Sequence, residues 1–288
     1  MSEAAGALSG FSEIAARYDA LFCDIWGVVH NGVAAHPLAS EALVNYRRGG
    51  GRVVLITNAP RPTPPIATML DEFGVPREAY DRIISSGDVT RTMLAAYRGE
   101  TLHYVGPPEE NDLLFEGLDI TLGSAEDAKA IIVTDLDTDD DTPEMYNDRI
   151  TLWLKRRLPL ICANPDRIVE HGDRLIYCGG ALADLYEARG GMIRMAGKPY
   201  RPIYDDALKL AEAAAGHPLD RSRLLAIGDS VRTDATGAAG FGVDLLFITG
   251  SIHAAEIDAF GAPNAEAIRN LVAPSGAKLA GFMPRLAW

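Results

Sequence analysis

Four short stretches hold residue types that could together move a phosphoryl group: Asp24-Ile25-Trp26-Gly27-Val28, Leu55-Ile56-Thr57-Asn58, Gly197-Lys198-Pro199, and Gly228-Asp229-Ser230-Val231-Arg232-Thr233-Asp234. Phosphoryl transfer through a covalent aspartate needs a carboxylate nucleophile. It needs a divalent cation held by hard oxygen ligands, so that the phosphate does not repel the attacking carboxylate. A hydroxyl and main-chain N–H groups should hold the phosphoryl oxygens. A lysine should offset the charge gathered there. Each stretch alone has a plainer reading. An aspartate at a strand end often caps a turn or helix, and Thr233-Asp234 would cap the helix that follows. Lys198 before a proline could decorate a surface. Only the combination points to chemistry.

The elements that carry these residues alternate. Residues 20–25 read as a buried strand, and 38–48 as a helix stopped by Gly49, Gly50 and Gly51. A second strand at 52–57 is followed by a helix at 64–73 that ends at Gly74. The last third repeats the rhythm: a short strand at 193–196, then Ile203, Ala207, Leu210, Ala211 and Ala214 at helical spacing. Strands at 224–227 and 245–248 follow. This βαβα order predicts an α/β fold with a Rossmann-like, doubly wound parallel sheet. In such sheets ligands bind beyond the carboxyl ends of the strands, where Asp24, Thr57-Asn58 and Gly228-Asp229 would lie. The middle, residues 85–193, has strands of its own at 101–105, 130–134, 160–162 and 175–177, with helices at 145–154 and 181–188. It predicts a second, smaller α/β domain inserted into a core made of 1–84 and 194–288. The acidic run at 135–144 reads as a solvated loop entering a helix at Pro143; it lacks the ligand spacing of a calcium loop.

In order and spacing, the four stretches resemble the motifs of the haloacid dehalogenase superfamily. Within it the chain is similar to class IIA, the phosphatases related to nucleotide, N-acetylglucosamine-phosphate and p-nitrophenyl-phosphate hydrolases. The insertion between the second and third motifs fits the α/β cap of that class. So do "ANPDRIV" at 163–169, "CGGALADLYEARGG" before "GKPY", and "TDATGAAGFGVDLLFITG" after the fourth motif. The resemblance implies that Asp24 is the nucleophile and becomes an aspartyl-phosphate. It implies that Thr57 binds a phosphoryl oxygen with the N–H of Asn58, and that Lys198 bridges Asp24 and the phosphate. Mg²⁺ would be held by Asp24, Asp229 and the main-chain carbonyl of Trp26, with Asp234 ligating it or orienting a metal-bound water. Asn164 and Asp166 would face the substrate from the cap.

Trp26 departs from the pattern, which usually has a second aspartate there to protonate the leaving group and activate water. An indole keeps the main-chain carbonyl but donates a hydrogen bond without exchanging protons near neutral pH. Three readings stand. His30, on the same loop, serves as a substitute acid–base, its ordinary pKa suiting the task. Alternatively, the substrate has a leaving group that needs little protonation. Or turnover is nearly lost, and the protein is a regulatory module that binds a phosphorylated ligand. A phosphotransferase using the same intermediate would need an acceptor site that sequence does not display.

The remaining composition bounds these readings. A net charge of −13 disfavours a nucleic-acid partner. No apolar run reaches the roughly 18–20 residues of a membrane span, and no export signal precedes Arg17, so a cytoplasmic protein is expected. Three cysteines without C-x-x-C spacing suit buried thiols in a reducing compartment and argue against zinc. His36, His103, His171, His217 and His253 show no ligand spacing. Gly237, Gly240 and Gly242 make no dinucleotide fingerprint, and Gly197-Lys198-Pro199 makes no P-loop. The expected partner is a small phosphorylated metabolite, a sugar or nucleotide phosphate. A homo-oligomer is compatible with the sequence.

Overall fold

Ala20–Asp24 (β1) forms a strand because five consecutive residues are buried on both faces, as a central parallel strand requires. The computed structural model describes residues 6–171, 174–254, 257 and 264–288. In chain order its further strands are β2 Arg52–Thr57, β3 Arg82–Ser85, β4 Thr101–Val105, β5 Thr121–Leu122, β6 Ile131–Val133, β7 Leu160–Cys162, β8 Ile168–His171, β9 Arg174–Tyr177, β10 Ile193–Met195, β11 Leu224–Gly228, β12 Asp244–Ile248 and β13 Lys278–Met283. The chain divides into two compact units, one of residues 1–57, 66–84 and 198–288, the other of residues 58–65 and 85–197.

The first unit is built on a six-stranded sheet in the order β13-β12-β11-β1-β2-β3. β1 runs parallel to both β2 and β11, and β12 runs parallel to both β11 and β13. Helices connect the strands. The helix Pro37–Arg48 starts with proline in its first turn and carries Arg47 and Arg48 in its last, where they complement the helix dipole. In Arg201–Ala215 the buried residues Ile203, Tyr204, Ala207 and Ala211 make one stripe, and Gly216 at φ 80° ends the helix in the left-handed region.

The second unit holds a five-stranded sheet in the order β10-β7-β6-β4-β5, all of whose pairs are parallel, and an antiparallel ribbon of β8 and β9. Successive residues of β6 serve opposite faces. Ile131 and Val133 pack with Trp153, Leu182 and Tyr186, while Ile132 packs with Leu102, Leu114 and Ile161. The strand expected in the core at 193–196 is β10, and it pairs with β7 instead, Ile193 opposite Leu160. Three residues with no turn signal of their own do not reveal which sheet edge they will join. Among the described residues no helix is long and apolar enough to cross a membrane.

Candidate active site

Strand register brings the first and fourth motifs level. Asp24 ends β1 opposite Ile56 of β2, and Cys23 lies opposite Ile227 of β11. The carboxyl ends of three neighbouring strands therefore present Asp24, Thr57 and Gly228-Asp229 side by side. Beyond β11 the chain makes a π-type turn, Val231–Ala235, opened by Ser230, whose hydroxyl accepts from the N–H of Thr233. This turn swings Asp234 back to Gly228, where any Cβ would overlap the Asp234 carboxyl group. The Ser230 N–H donates to Asp234 Oδ2 at 3.2 Å.

Lys198 enters from the segment before Arg201–Ala215 and is 3% exposed. Its Nζ lies 2.7 Å from Asp24 Oδ1 and 2.7 Å from Asp234 Oδ1. Asp24 Oδ1 also accepts from the N–H of Ile25 at 2.7 Å. Both contacts fall on Oδ1, and neither engages Oδ2. The resemblance has Lys198 bridge Asp24 and the phosphate; here it bridges Asp24 and Asp234.

Asp24, Asp229 and Asp234 are all buried, and each offers an oxygen within 4.8 Å of the others. Among the described residues one ammonium, that of Lys198, lies against two of these three carboxyl groups, in a site largely removed from water. The titrations follow. Burial pushes the Asp24 carboxyl well above its ordinary range, the neighbouring Asp234 adds to this, and Lys198 opposes it. Asp229 is pushed up to about 7, by burial first and Asp234 second, against a hydrogen bond from Ser251. For Lys198, burial pulls the pKa down, but Asp234 and Asp24 outweigh it and hold the ammonium well above its usual value. Hard oxygen donors at this spacing fit a divalent cation such as Mg²⁺.

The loop after β1 crosses this cluster. Gly27 has φ 80°, and a Cβ there would overlap Asp229 Oδ2 and stand 2.6 Å from Ser251 Oγ. Its N–H donates to the His30 carbonyl at 2.8 Å, and the N–H of Val29 donates to the Ile25 carbonyl at 2.8 Å. The preceding Trp26 is 43% exposed. Its indole meets the His30 ring edge-on at 5.1 Å and lies over Gly32.

His30 does not have the setting of an acid–base. It is 1% exposed, packed between Trp26 and Phe73, and its Nδ1 accepts from the N–H of Gly32 at 2.8 Å. Burial lowers its pKa to about 4, so the ring is neutral near pH 7. Spacing from Asp24 suggests a proton carrier, but the loop turns the ring into its own base.

Asn164 and Asp166 are engaged within the second unit. Asn164 Nδ2 donates to Asp135 Oδ2 at 3.3 Å, and its Oδ1 accepts from the Asp166 N–H at 3.2 Å. Asp166 Oδ1 accepts from Asn58 Nδ2 at 3.0 Å. Asp135, expected in a solvated loop, also accepts from the Gly179 N–H at 3.0 Å. These side chains, expected to face substrate, knit loops together.

Two contributors escaped sequence reasoning. Ser251 follows β12 and supports Asp229; the rule that polar residues cluster at strand carboxyl ends would have found it. Tyr204, fully buried beside Lys198, Asp234 and Asp24, sits inside the apolar stripe of its helix and gave no signal.

Residues 21–118 match the family model of haloacid dehalogenase-like hydrolases, and residues 195–274 match a HAD-hydrolase-like model. A haloacid dehalogenase-like hydrolase from Brucella suis 1330 is 41% identical, with a TM-score of 0.85, over 97% of this chain and 99% of that one. A protein described as a "possible sugar phosphatase" from Cytophaga hutchinsonii shares the fold at 21% identity and a TM-score of 0.73, over 89% of this chain and 95% of that one. A glycerol phosphate phosphatase from Mycobacterium tuberculosis, solved in complex with calcium, shares it at 23% identity and a TM-score of 0.64, over 86% and 71%. No curated protein sequence matches. On the family models and the Brucella protein, the chain belongs to the haloacid dehalogenase-like hydrolase family.

Proposed function

We propose that this chain is a divalent-cation-dependent phosphoric monoester hydrolase that acts on a small phosphorylated metabolite through Asp24. The observation that carries this reading is the buried triad of Asp24, Asp229 and Asp234 around one lysine at the carboxyl ends of the sheet. The phosphatase names of the two more distant structural neighbours agree with it. The second unit is read as the inserted cap.

In this reading Asp24 attacks phosphorus, and the bond from phosphorus to the ester oxygen breaks, its electron pair leaving with that oxygen. The Thr57 hydroxyl and the Asn58 N–H hold phosphoryl oxygens. Lys198 counters the burial and the neighbouring Asp234 that favour the protonated form of Asp24, and holds its carboxyl group in place. Water then attacks the phosphorus of the aspartyl-phosphate, releasing inorganic phosphate and restoring the carboxylate. Asp24, Asp229 and the Trp26 carbonyl, with Asp234 beside them, would hold Mg²⁺, which when bound neutralises charge on the phosphate. Trp26 assists neither proton transfer, and losing such assistance slows a step by about 10²–10⁴. The setting of His30 favours the reading in which the leaving group needs little protonation.

A second reading, a module that binds a phosphorylated ligand without consuming it, is favoured by Trp26 itself. A crystal soaked with beryllofluoride and Mg²⁺ and a panel of phosphate monoesters together separate the two. Hydrolysis requires the fluoride adduct on Asp24, a cation between Asp24 and Asp229, and Mg²⁺-dependent phosphate release that Asp24→Asn abolishes. An adduct elsewhere refutes the mechanism. Binding of one monoester with no phosphate released from any favours the module.

A further inference from the structure

The indole of Trp26 is held in place, half exposed, two residues beyond Asp24 in the chain. Its neighbour Gly27 lies so close to Asp229 that no side chain fits between them, which puts the Trp26-Gly27 segment at the rim of the cluster. One part of the ring rests on Gly32, at φ 88°, where a Cβ would stand 2.5 Å from Cη2. Another part meets the His30 ring, with 71° between the planes. His30 is itself pinned by Phe73 at 5.1 Å and by the Gly32 N–H. A glycine that leaves space for the ring and a buried histidine that buttresses it restrict the indole before any ligand arrives. Ordering completed in advance strengthens binding. The portion left uncovered is an apolar, π-rich surface two residues from the nucleophile.

We propose that Trp26 forms an aromatic subsite for the leaving group, selecting aryl or heteroaryl monophosphates over alkyl and sugar phosphates. The inference rests on the hydrolase reading above and narrows its substrate class. Two properties of the indole converge on it. As a surface it stacks with planar rings. As a chemical group it cannot protonate a departing oxygen. Breakage of the phosphorus–oxygen bond then leaves the electron pair on the oxygen. A phenol-type oxygen spreads that charge into its ring, whereas an alkoxide cannot. A planar, weakly basic leaving group meets both demands, and water protonates the phenolate after it has left.

Binding tests the subsite apart from turnover. The probes are inorganic phosphate, methylphosphonate and phenylphosphonate, titrated with Mg²⁺ by calorimetry and by indole fluorescence. Phenylphosphonate should bind the natural protein about tenfold more tightly than methylphosphonate, the scale of one aromatic stack. That preference should vanish in Trp26→Ala, survive in part in Trp26→Phe, and shrink in Gly32→Ala, whose new methyl displaces the ring. Unfolding curves identify any variant that fails to fold, and Trp26→Phe keeps the aromatic surface for comparison. A second readout is the dependence of kcat/KM on leaving-group pKa among aryl phosphates, which should be steep and should flatten in Trp26→Asp. Phosphate binding without a phenyl preference, or a preference that persists in Trp26→Ala, overturns the subsite alone. Failure of all three anions to bind overturns the hydrolase reading, and the subsite with it.

Discussion

Replacing Asp229 by asparagine should make the cation-free protein more stable at pH 8, although Asp229 belongs to the candidate site. In the folded chain its carboxyl is pushed up to about 7, by burial first and Asp234 second. In the unfolded chain it titrates near the ordinary value of about 3.9. A group whose folded pKa is the higher contributes stability that is intact below about pH 4, falls as pH rises, and is fully lost above about pH 7. Integrating between those values gives a penalty of about 4 kcal/mol at pH 8 and about 1.5 kcal/mol at pH 5. The carboxamide of the Asp229→Asn variant has the same shape and never ionises, so it escapes both. For a chain of this size, about 4 kcal/mol corresponds to a rise in Tm of roughly 8–16 °C. The assay is urea and thermal unfolding of both proteins in chelator at pH 5 and pH 8. Mg²⁺ at about a hundredfold its Kd should then stabilise the natural protein by about 2.7 kcal/mol and the variant far less. A variant no more stable than the natural protein at pH 8 in chelator, or an advantage that does not shrink at pH 5, would refute the electrostatic account of this site.

Two further substitutions probe the same cluster. Lys198→Met removes the ammonium 2.7 Å from both Asp24 and Asp234. It should cost about 3–5 kcal/mol in urea at pH 8 in chelator, the usual result of stranding buried charge. The loss should be smaller at pH 5, where the carboxyls can protonate; a loss below about 1 kcal/mol at both pH values would contradict it. Gly27→Ala places a methyl against Asp229 Oδ2 and imposes φ 80° on alanine. The backbone alone should cost about 1–2 kcal/mol. Calorimetry should also show Mg²⁺ affinity falling at least about tenfold as Asp229 is displaced; unchanged affinity would remove Gly27 from its role.

The fold was legible where apolar runs were long and their ends well marked. β1, β2, β11 and β12 each bury nearly every residue, and each is followed by a polar or glycine-bearing turn. Periodicity alone therefore predicts a parallel sheet. The assignment of β10 failed because Ile193–Met195 is three residues long, and strand partners at that length are chosen by the surrounding fold. The same limit explains Asn164 and Asp166. Their partners, Asp135 and Asn58, lie 29 and 108 residues away in sequence, and no local pattern announces pairing at that range.

Glycines carry the part of the site that residue types do not advertise. Gly27 and Gly228 lie in sequence just past the expected strands at 20–25 and 224–227. In three dimensions each is a place where a side chain would strike a named group: Asp229 at Gly27, Asp234 at Gly228, the Trp26 ring at Gly32. A sequence shows where side chains are and says little about where they must be absent. The candidate site depends on both. Two carboxylates come close enough to share a cation because main chain without side chains lies against them. The indole that displaces the usual acid stays at the rim because the residue beneath it has nothing to push with. A substitution that adds one methyl at any of these glycines should disturb the site without removing any charged or aromatic residue from the chain.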